Sequence, residues 1–252
     1  MSEMLPSARA PADYEPSIDT FGGRVILVTG AGSGLGRAVA MRLADLGAHA
    51  VLAGKTLAPL EACYDAILAA DGAQPAIYPI NLAGAGWDDL AEVGANLGEQ
   101  MQRLDGIVHC AAHFKQFAAM QTVEPGEWQA ALQTQLVAPW ALTRACLPLL
   151  LESPGRGSVV FIGDRPQAFY GAYGVSKHAL RSLVSTWVAD GPDAPNPRLN
   201  VYYPGPMRTP LRARGFPGEN RDTVPRPETA VDALLWLLDP ASGAVNGCAV
   251  SA

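Results

Sequence analysis

Short apolar runs alternate with longer stretches of helical period along most of this chain. The run Val25–Val28 consists of branched aliphatic residues, which is typical of a strand buried on both faces of a sheet. A glycine-rich turn, Gly30–Gly36, follows this run. Apolar residues then recur at helical spacing, at Leu35, Val39, Leu43 and Leu46. The pattern predicts a strand, a tight turn and a helix whose first N–H groups face the turn.

The same alternation continues towards the carboxyl terminus. Further strands are predicted at Ala48–Ala53, Ala76–Ile80, Gly106–His109, Ser158–Ile162, Arg198–Tyr203 and Ala244–Val250. Further helices are predicted at Ala58–Ala70, Trp87–Gln102, Glu127–Leu151, Tyr173–Ala189 and a segment with Ala230, Leu234 and Leu237. Because crossover helices join parallel strands, we predict an α/β fold: a single-domain Rossmann-like doubly wound parallel sheet with helices on both faces. Residues that follow the strands should meet at one edge of this sheet.

Proline-rich stretches indicate where this architecture is interrupted. Residues 1–20 are rich in Pro and small polar residues, which predicts a mobile amino-terminal arm before a domain of residues 21–252. An arm that lies across a neighbouring subunit is the alternative. Pro139 and Pro148 should bend or interrupt the long helix that contains them, and a Pro-rich turn is predicted at Gly191–Pro197.

The glycine turn is suited to binding a phosphate. A helix amino terminus offers unpaired N–H donors, and glycines allow the backbone to approach a pyrophosphate closely. The fingerprint G-x-G-x-x-G fails, because Leu35 stands in place of its third glycine. The pattern T-G-x-x-x-G-x-G fits instead, from Thr29 to Gly36. A purely structural turn is the alternative, but the flanking strand and helix favour nucleotide binding, with these candidates: Gly30, Ser33, Gly34, Leu35 and Gly36.

Composition narrows the classes of function. The 252 residues are 49% apolar and 17% charged with a net charge of −6, so nucleic acid is not expected as the main partner. Four scattered cysteines are expected to be buried thiols in a reducing compartment. Neither a signal peptide nor a bilayer-spanning stretch is recognisable, so we expect a soluble, cytoplasmic protein without a membrane partner. The spacing of His109, Cys110 and His113 does not indicate a metal site.

Tyr173 and Lys177 form the second chemical signal. Residues four apart share one face of a helix, so the Lys177 ammonium can approach the Tyr173 hydroxyl. A nearby cation stabilises the phenolate, which lets a phenol exchange protons near neutral pH. The alternative is a core tyrosine beside a surface lysine, since this pair of residues often occurs by chance.

Three motifs together resemble the short-chain dehydrogenase/reductase family. They are T-G-x-x-x-G-x-G at Thr29–Gly36, A-Y-G-V-S-K at Ala172–Lys177 and P-G-x-x-x-T at Pro204–Thr209. The resemblance implies hydride transfer between a nicotinamide cofactor and a carbonyl/alcohol pair of a small molecule. It assigns proton transfer to Tyr173, and it assigns to Lys177 both the lowering of the tyrosine pKa and the binding of the nicotinamide ribose. It also implies a homodimer or homotetramer, with contacts through the helices that begin near Tyr173 and Glu127.

The same resemblance suggests how the cofactor is held. Pro204, Gly205 and Thr209 would lie on the nicotinamide side. Ala111 falls in His109–Ala112, where the family has N-N-A-G. Asn81, followed by Leu82, stands where the family has an aspartate near the adenine.

The second strand bears on cofactor choice. An NAD site usually has an acidic residue after this strand that binds the ribose hydroxyl, but Gly54, Lys55 and Thr56 stand here. Lys55 can pair with a 2′-phosphate, so NADP(H) is favoured over NAD(H). A merely solvated Lys55 is the alternative.

Two positions depart from the family pattern. Asp164 stands where a serine orients the substrate oxygen, and Gln135 where an asparagine holds a water. An ionised carboxylate accepts hydrogen bonds but cannot donate them, and beside Tyr173 it would raise the phenol pKa. Three alternatives follow: Asp164 is turned away, for example to pair with Arg165, or it is protonated, or the site no longer reduces ordinary ketones. A nucleotide-binding regulatory or scaffold protein without turnover is the competing hypothesis.

The substrate side leaves further alternatives open. Three arginines could meet an anionic substrate, although solvated side chains are the favoured interpretation: Arg208, Arg212 and Arg214. Three aromatic residues could line an apolar wall or pack in the core: Phe169, Tyr170 and Phe216.

Overall fold

Eight parallel strands of the described residues form one sheet. A computed structural model describes residues 5–191 and 196–252 of the chain. The strands are β1 (Ser7–Ala8), β2 (Val25–Thr29), β3 (His49–Gly54), β4 (Ala76–Pro79), β5 (Gly106–His109), β6 (Ser158–Ile162), β7 (Arg198–Tyr203) and β8 (Ala249–Ser251). Their order across the sheet is β1-β8-β7-β6-β5-β2-β3-β4. The chain order reverses between β2 and β5, which is where doubly wound sheets open a ligand crevice.

Helices cover both faces of the sheet. They are α1 (Ile18–Phe21), α2 (Gly34–Asp45), α3 (Leu57–Ala69), α4 (Trp87–Met101), α5 (Pro125–Leu132), α6 (Ala138–Ala145), α7 (Leu147–Glu152), α8 (Gly171–Ala189), α9 (Pro210–Gly215) and α10 (Val231–Leu238). Alternate residues of β2 serve two cores. Ile26 and Val28 pack with α2, α3 and α10, whereas Val25 and Leu27 pack with α4, α6 and α8. The predicted doubly wound sheet with helices on both faces is confirmed.

The predicted long helix is interrupted twice. A π-helical turn, Gln133–Val137, separates α5 from α6, and a break at Cys146 separates α6 from α7. Pro139 and Pro148 lie just after these interruptions, at the starts of α6 and α7. A proline lacks the N–H that would continue the helical ladder, so the interruptions lie near the predicted positions.

The last strand is shorter than predicted. Residues from Pro240 to Val245 form successive tight turns, in which Gly243 N–H donates to Pro240 O and Val245 N–H to Ser242 O. Gly247 then adopts a positive φ of 68°. Regular pairing with β7 therefore begins only at Ala249.

The amino-terminal segment departs from the predicted mobile arm. Ser7 and Ala8 pair with β8, Leu5 is buried in the core, and the Tyr14 hydroxyl donates to Asp239 at 2.9 Å. Residues 5–20 therefore pack on the edge of their own sheet. Residues 1–4 of the arm and 192–195 of the predicted Pro-rich turn lie outside the described residues.

Within the described parts of the chain, no helix has the length and apolar character needed to cross a membrane. The four cysteines are free thiols. Cys63 and Cys146 are buried as expected, whereas Cys110 and Cys248 are only half-buried.

Replacing Leu5 with alanine tests the packing of this segment. Loss of a buried leucine should lower the free energy of unfolding by about 2 kcal/mol, measured by urea or thermal denaturation. The exposed Arg9 of the same segment provides the control, and Arg9→Ala should change stability by less than about 0.5 kcal/mol. Equal stability of Leu5→Ala and wild type would mean that the segment is detached in solution.

Candidate active site

A cavity of about 700 Å³ opens at the carboxyl ends of the strands. It collects nearly every site residue predicted from the sequence. The predicted residues that line it are Gly30, Ser33, Gly34, Leu35, Gly36, Lys55, Asn81, Leu82, Ala111, Asp164, Tyr173, Lys177, Pro204, Gly205 and Thr209. Only Gln135 among the predicted site residues is absent from its wall.

The glycine turn is packed too tightly for side chains. A Cβ on Gly30 would lie 2.9 Å from the Ala111 Cα, and one on Gly36 would lie 2.4 Å from the Gly30 carbonyl oxygen. Gly34 has a positive φ of 55°, and a Cβ there would meet the Thr209 side chain at 3.1 Å. Because α2 begins at Gly34 without a side-chain cap, its first N–H groups remain available to a ligand. This arrangement fits the pyrophosphate of a dinucleotide.

A hydrogen bond joins the two loops at the centre of the cavity. The Ala111 N–H donates to the Thr29 hydroxyl at 3.1 Å, across the neighbouring strands β2 and β5. The threonine that opens the glycine motif therefore holds the loop after β5 against the turn. The family's N-N-A-G asparagines are missing, but the backbone of this loop still lines the cavity.

Lys55 directly follows β3 and lies on the cavity wall with an exposed side chain. Asp164 is the one acidic side chain among the described residues that line the cavity. Among the described residues of the wall, those that follow β3 therefore place no carboxylate next to Lys55. This charge distribution suits a 2′-phosphate better than a free ribose hydroxyl.

Tyr173 and Lys177 enter the cavity from the first two turns of α8. The Tyr173 hydroxyl donates to Asp164 Oδ2 at 3.0 Å, and the buried Lys177 Nζ donates to the Ile162 carbonyl at 2.8 Å. The core-tyrosine alternative is thereby wrong for this pair, since both side chains line the cavity. Of the three arrangements left open for Asp164, the outward-turned one is also wrong, because the carboxylate faces the phenol.

Gly163 explains why Asp164 points inward. A Cβ at Gly163 would lie 2.7 Å from Val201 and 2.9 Å from the Tyr203 ring, so only glycine allows the chain to pass so close to β7. The Gly163 N–H donates to the Tyr202 carbonyl at 2.9 Å, and the Arg165 N–H donates to Asp164 Oδ1 at 2.7 Å. The carboxylate is thereby held with its second oxygen towards the phenol.

Burial and charge shift the proton affinities of these groups. Burial, aided by the Asp164 charge and hydrogen bond, raises the pKa of the Tyr173 phenol well above its ordinary value. Burial lowers the pKa of Lys177 to about 8, although Cys110 and Asp164 oppose the shift. The phenol therefore keeps its proton in this arrangement, and Lys177 remains mostly charged at neutral pH.

Gln135 is not placed to hold a water in the cavity. Its Oε1 accepts from the His113 N–H at 2.6 Å, and its Nε2 donates to Ser176 Oγ at 2.5 Å. Both ends of the buried amide are thus engaged, and Gln135 ties the loop after β5 to α8. The neighbouring Thr134 does line the cavity, and its buried Oγ1 has no hydrogen-bond partner among the described residues.

Aromatic rings form the wall beyond Tyr173, and two of them were not predicted. Phe114 and Phe117 join the predicted Tyr170 and Phe216 in the lining, whereas Phe169 is 64% exposed and lies outside it. The Phe117 ring stacks on Tyr170 at 5.0 Å and meets Phe216 at 4.9 Å. The sequence H-F-K-Q-F, which begins at His113 in the loop after β5, was the available signal, because residues that follow central strands face the crevice.

The three arginines of the following loop are partnered rather than solvated. Arg208 pairs with Asp222 at 3.2 Å, and Arg214 donates to the Phe114 carbonyl at 2.7 Å. Arg212 forms two bonds to Glu219, at 2.6 and 2.8 Å, and its guanidinium lies 4.1 Å from the Phe216 ring centre. These contacts fix the loop over the aromatic wall.

His109 is a buried neighbour of the site. Its Nε2 lies 3.0 Å from the Thr143 hydroxyl, and its ring stacks on Phe161 at 5.0 Å. Its Nδ1 has no hydrogen-bond partner in the part of the chain that the structure describes. Over the same residues, no cluster of His, Cys, Asp and Glu could hold a metal ion.

Comparisons with known proteins identify the class. A family model for short chain dehydrogenases matches residues 24–220. YciK of Escherichia coli K12, named an uncharacterized oxidoreductase, is 33% identical over 229 residues, which cover 89% of this chain and 90% of that protein. The chain therefore belongs to the short chain dehydrogenase family, and it is an oxidoreductase of that family.

Solved structures agree with this assignment. A short chain dehydrogenase from Pseudomonas syringae is 34% identical, covers 96% of this chain and 99% of its own, and has a TM-score of 0.90. A short chain dehydrogenase from Escherichia coli CFT073 in complex with NADPH is 31% identical, covers 94% of this chain and 99% of its own, and has a TM-score of 0.88.

His109 should make stability depend on acid. Burial and the Lys177 charge lower its pKa to about 3, so the unfolded chain takes up a proton below its ordinary pKa while the folded protein does not. Stability should fall as pH drops from about 6.5 towards 3, by up to about 1.4 kcal/mol per pH unit from this residue. In His109→Gln that contribution disappears, so the free energy of unfolding should depend less on pH than in wild type. Urea unfolding between pH 6 and pH 4, roughly the middle of this range, measures the difference.

The control is His49→Gln, because His49 is an exposed histidine. Its pH dependence should match that of wild type. An unchanged slope in His109→Gln would show that His109 takes up its proton in the folded state.

Proposed function

We propose that the protein interconverts a carbonyl compound and an alcohol with NADP(H), using Tyr173 as the proton donor and acceptor. The observation that carries the proposal is that Tyr173 and Lys177 line the same cavity as the glycine turn. A phenol, a buried ammonium and a phosphate-binding helix end thereby share one crevice. When bound, the nicotinamide supplies or accepts the hydride.

Four parts of the cavity wall would hold the cofactor. The turn Ser33–Gly36 and Gly30 would receive the pyrophosphate, and Lys55 would pair with the 2′-phosphate. Asn81 and Leu82 would contact the adenine. Ala111, Pro204, Gly205 and Thr209 would border the nicotinamide. The NADPH complex of the Escherichia coli CFT073 structure supports the choice of NADP(H).

Proton transfer would take place at the Tyr173 hydroxyl. In carbonyl reduction the hydroxyl gives its proton to the substrate oxygen, and the charged Lys177 stabilises the phenolate that remains. In alcohol oxidation the same steps run in reverse. The Asp164 carboxylate opposes both directions. It accepts the hydrogen bond that the Tyr173 hydroxyl would donate to a carbonyl, and its charge repels the phenolate that would take a proton from an alcohol.

That opposition is what favours the second candidate, a nucleotide-binding regulatory or scaffold protein without turnover. The Tyr173 hydroxyl donates its one proton in a hydrogen bond to Asp164, so this proton is not available to a simple carbonyl. NADPH binding without turnover of any carbonyl or alcohol would favour this candidate.

The proposal includes a cytoplasmic homodimer or homotetramer. Exposed apolar side chains support self-association, since Val175 of α8 is 39% exposed and Leu151 of α7 is 37% exposed. The free thiols support a reducing compartment.

Tyr173→Phe tests the proposed acid. Without the hydroxyl, kcat for carbonyl reduction should fall by about a hundredfold or more, while NADPH binding changes little. A panel of ketones and alcohols, followed by nicotinamide absorbance, measures the rate. Tyr64→Phe, on α3 away from the cavity, is the matched control, and equal rates in Tyr173→Phe and wild type would remove Tyr173 as the acid.

Lys55→Asp tests the cofactor preference. Reversing this charge should weaken NADPH binding by about tenfold or more, whereas NADH binding should stay unchanged or become tighter, because an acidic residue here can bind the free ribose hydroxyl. Calorimetry of both nucleotides measures the two affinities. Arg9→Asp makes the same charge reversal at the opposite edge of the sheet and should alter neither affinity. Equal losses for NADPH and NADH would contradict pairing with the 2′-phosphate.

A further inference from the structure

Asp164 presents a fixed hydrogen-bond acceptor next to the reacting hydroxyl. Its Oδ1 accepts from the Arg165 N–H at 2.7 Å, so the carboxylate cannot rotate without losing a bond. Its Oδ2 accepts from the Tyr173 hydroxyl at 3.0 Å. The phenol has one proton, and in the free protein it donates this proton in a hydrogen bond to the carboxylate.

A plain ketone fits this site poorly. Its carbonyl oxygen is also only an acceptor, so it must compete with Asp164 for the single phenolic proton. When the ketone oxygen accepts the hydrogen bond from Tyr173, Asp164 Oδ2 loses its donor. It then faces the lone pairs of the ketone oxygen. Asp164 is half-buried, so water can reach it in the free protein, but a cofactor and a substrate that fill the cavity would displace that water. An acceptor that loses water without gaining a donor costs free energy, and the cost is larger when the acceptor is charged.

A donor on the substrate removes this conflict. A hydroxyl on the carbon next to the carbonyl lies close enough to donate to Asp164 Oδ2 while the carbonyl oxygen accepts from Tyr173. Each acceptor then has its own proton. The carboxylate changes from a competitor for the phenol into a group that positions the substrate.

The rings around Tyr173 indicate what the rest of the substrate is like. Phe114 meets the Tyr173 ring edge-on at 5.5 Å, and Tyr170 does so at 5.8 Å. Phe117 and Phe216 extend the same wall. These surfaces suit an aryl or other apolar substituent.

The charges of the wall favour a hydroxyl over an ammonium as the donor. Among the described residues of the cavity lining, Asp164 is the single acidic side chain, whereas Lys55, Arg165, Lys177, Arg212 and Arg214 are basic. Arg212 is paired with Glu219, and Lys55 is assigned to the 2′-phosphate. This leaves Arg165, Lys177 and Arg214 to disfavour a cationic substrate.

From these contacts we infer that the substrate is an apolar or aryl α-hydroxyketone, which is reduced to the vicinal diol. The inference rests on the proposed function. The carbonyl carbon takes the hydride as NADPH is oxidised to NADP⁺, and the carbonyl oxygen takes the Tyr173 proton. The neighbouring hydroxyl is unchanged, and the phenolate regains a proton from solvent.

Two ketones that differ by one hydroxyl test the inference. We compare kcat/KM for α-hydroxyacetophenone and acetophenone with NADPH, in wild type and in Asp164→Ser. The wild-type preference for the hydroxyketone should exceed that of Asp164→Ser by about tenfold to a hundredfold, since a charged acceptor is lost. Comparing the ratios cancels the higher intrinsic reactivity of the hydroxyketone, because both enzymes use the same pair of substrates.

Asp65→Ser is the matched control, since it removes the same charge from an exposed position on α3. Its preference should equal that of wild type. α-Aminoacetophenone serves as a third substrate, and a stronger preference for it than for the hydroxyketone would overturn the choice of a hydroxyl. Equal ratios in wild type and Asp164→Ser would overturn the role of Asp164.

A binding measurement separates this inference from the proposed function. Calorimetry of the protein loaded with NADP⁺ should show tighter binding of phenylethylene glycol than of α-methylbenzyl alcohol, and Asp164→Ser should lose the difference. Absence of turnover with every ketone, together with this binding difference, would refute the proposed reaction and leave the recognition intact. Equal binding of the two alcohols by wild type would refute the recognition itself.

Discussion

Backbone contact between the turn after β2 and the loop after β5 shapes the centre of the cavity. The turn approaches so closely that a single methyl group on Gly30 would overlap the Ala111 backbone. The Ala111 N–H donates to the Thr29 hydroxyl, which joins the two loops. This contact keeps the first N–H groups of α2 open to the crevice, and the rest of the site is arranged around it.

A second constraint follows from the parallel sheet. All described strands run in one direction, so the residues that follow β2, β3, β5, β6 and β7 meet at the same edge. Asp164 follows β6 and Thr209 lies beyond β7, although 45 positions along the chain, from 164 to 209, separate them. The carboxylate, the phenol and the glycine turn therefore meet because of strand order, and no local interaction is needed to gather them.

This dependence explains how much of the molecule the sequence alone predicts. Buried parallel strands are apolar along their whole length, so most of their limits can be predicted within one or two residues, as for Ser158–Ile162. The pairing of Ser7 and Ala8 with β8 has no such signal, since two residues carry no period and their partners are at the other end of the chain. Proline content suggested a free arm there, but burial of Leu5 and the bond from Tyr14 stabilise the packed form.

The site shows the same division. Motif spacing was sufficient to place Tyr173 and Lys177 in one cavity, because residues four apart on a helix share a face. It was not sufficient for Gln135, whose amide is satisfied by His113 and Ser176, two partners from distant parts of the chain. The direction of Asp164 was also beyond the sequence, since it depends on how closely Gly163 passes the Tyr203 ring.

The opposed charges around the phenol connect these observations to the chemistry. Burial of the phenol disfavours the phenolate, and Asp164 acts in the same direction through its charge and its hydrogen bond. In the proposed reaction, Lys177 has the opposite role and stabilises the phenolate. In the proposed reaction, reduction and oxidation both pass through a state in which the phenolate forms beside the carboxylate, so Asp164 would slow both directions unless another donor engages it. The protein offers no such donor on Oδ2 among its described residues except the phenol itself. In the inferred recognition, the substrate supplies this donor, and Asp164 would favour a substrate that carries a hydroxyl next to its carbonyl.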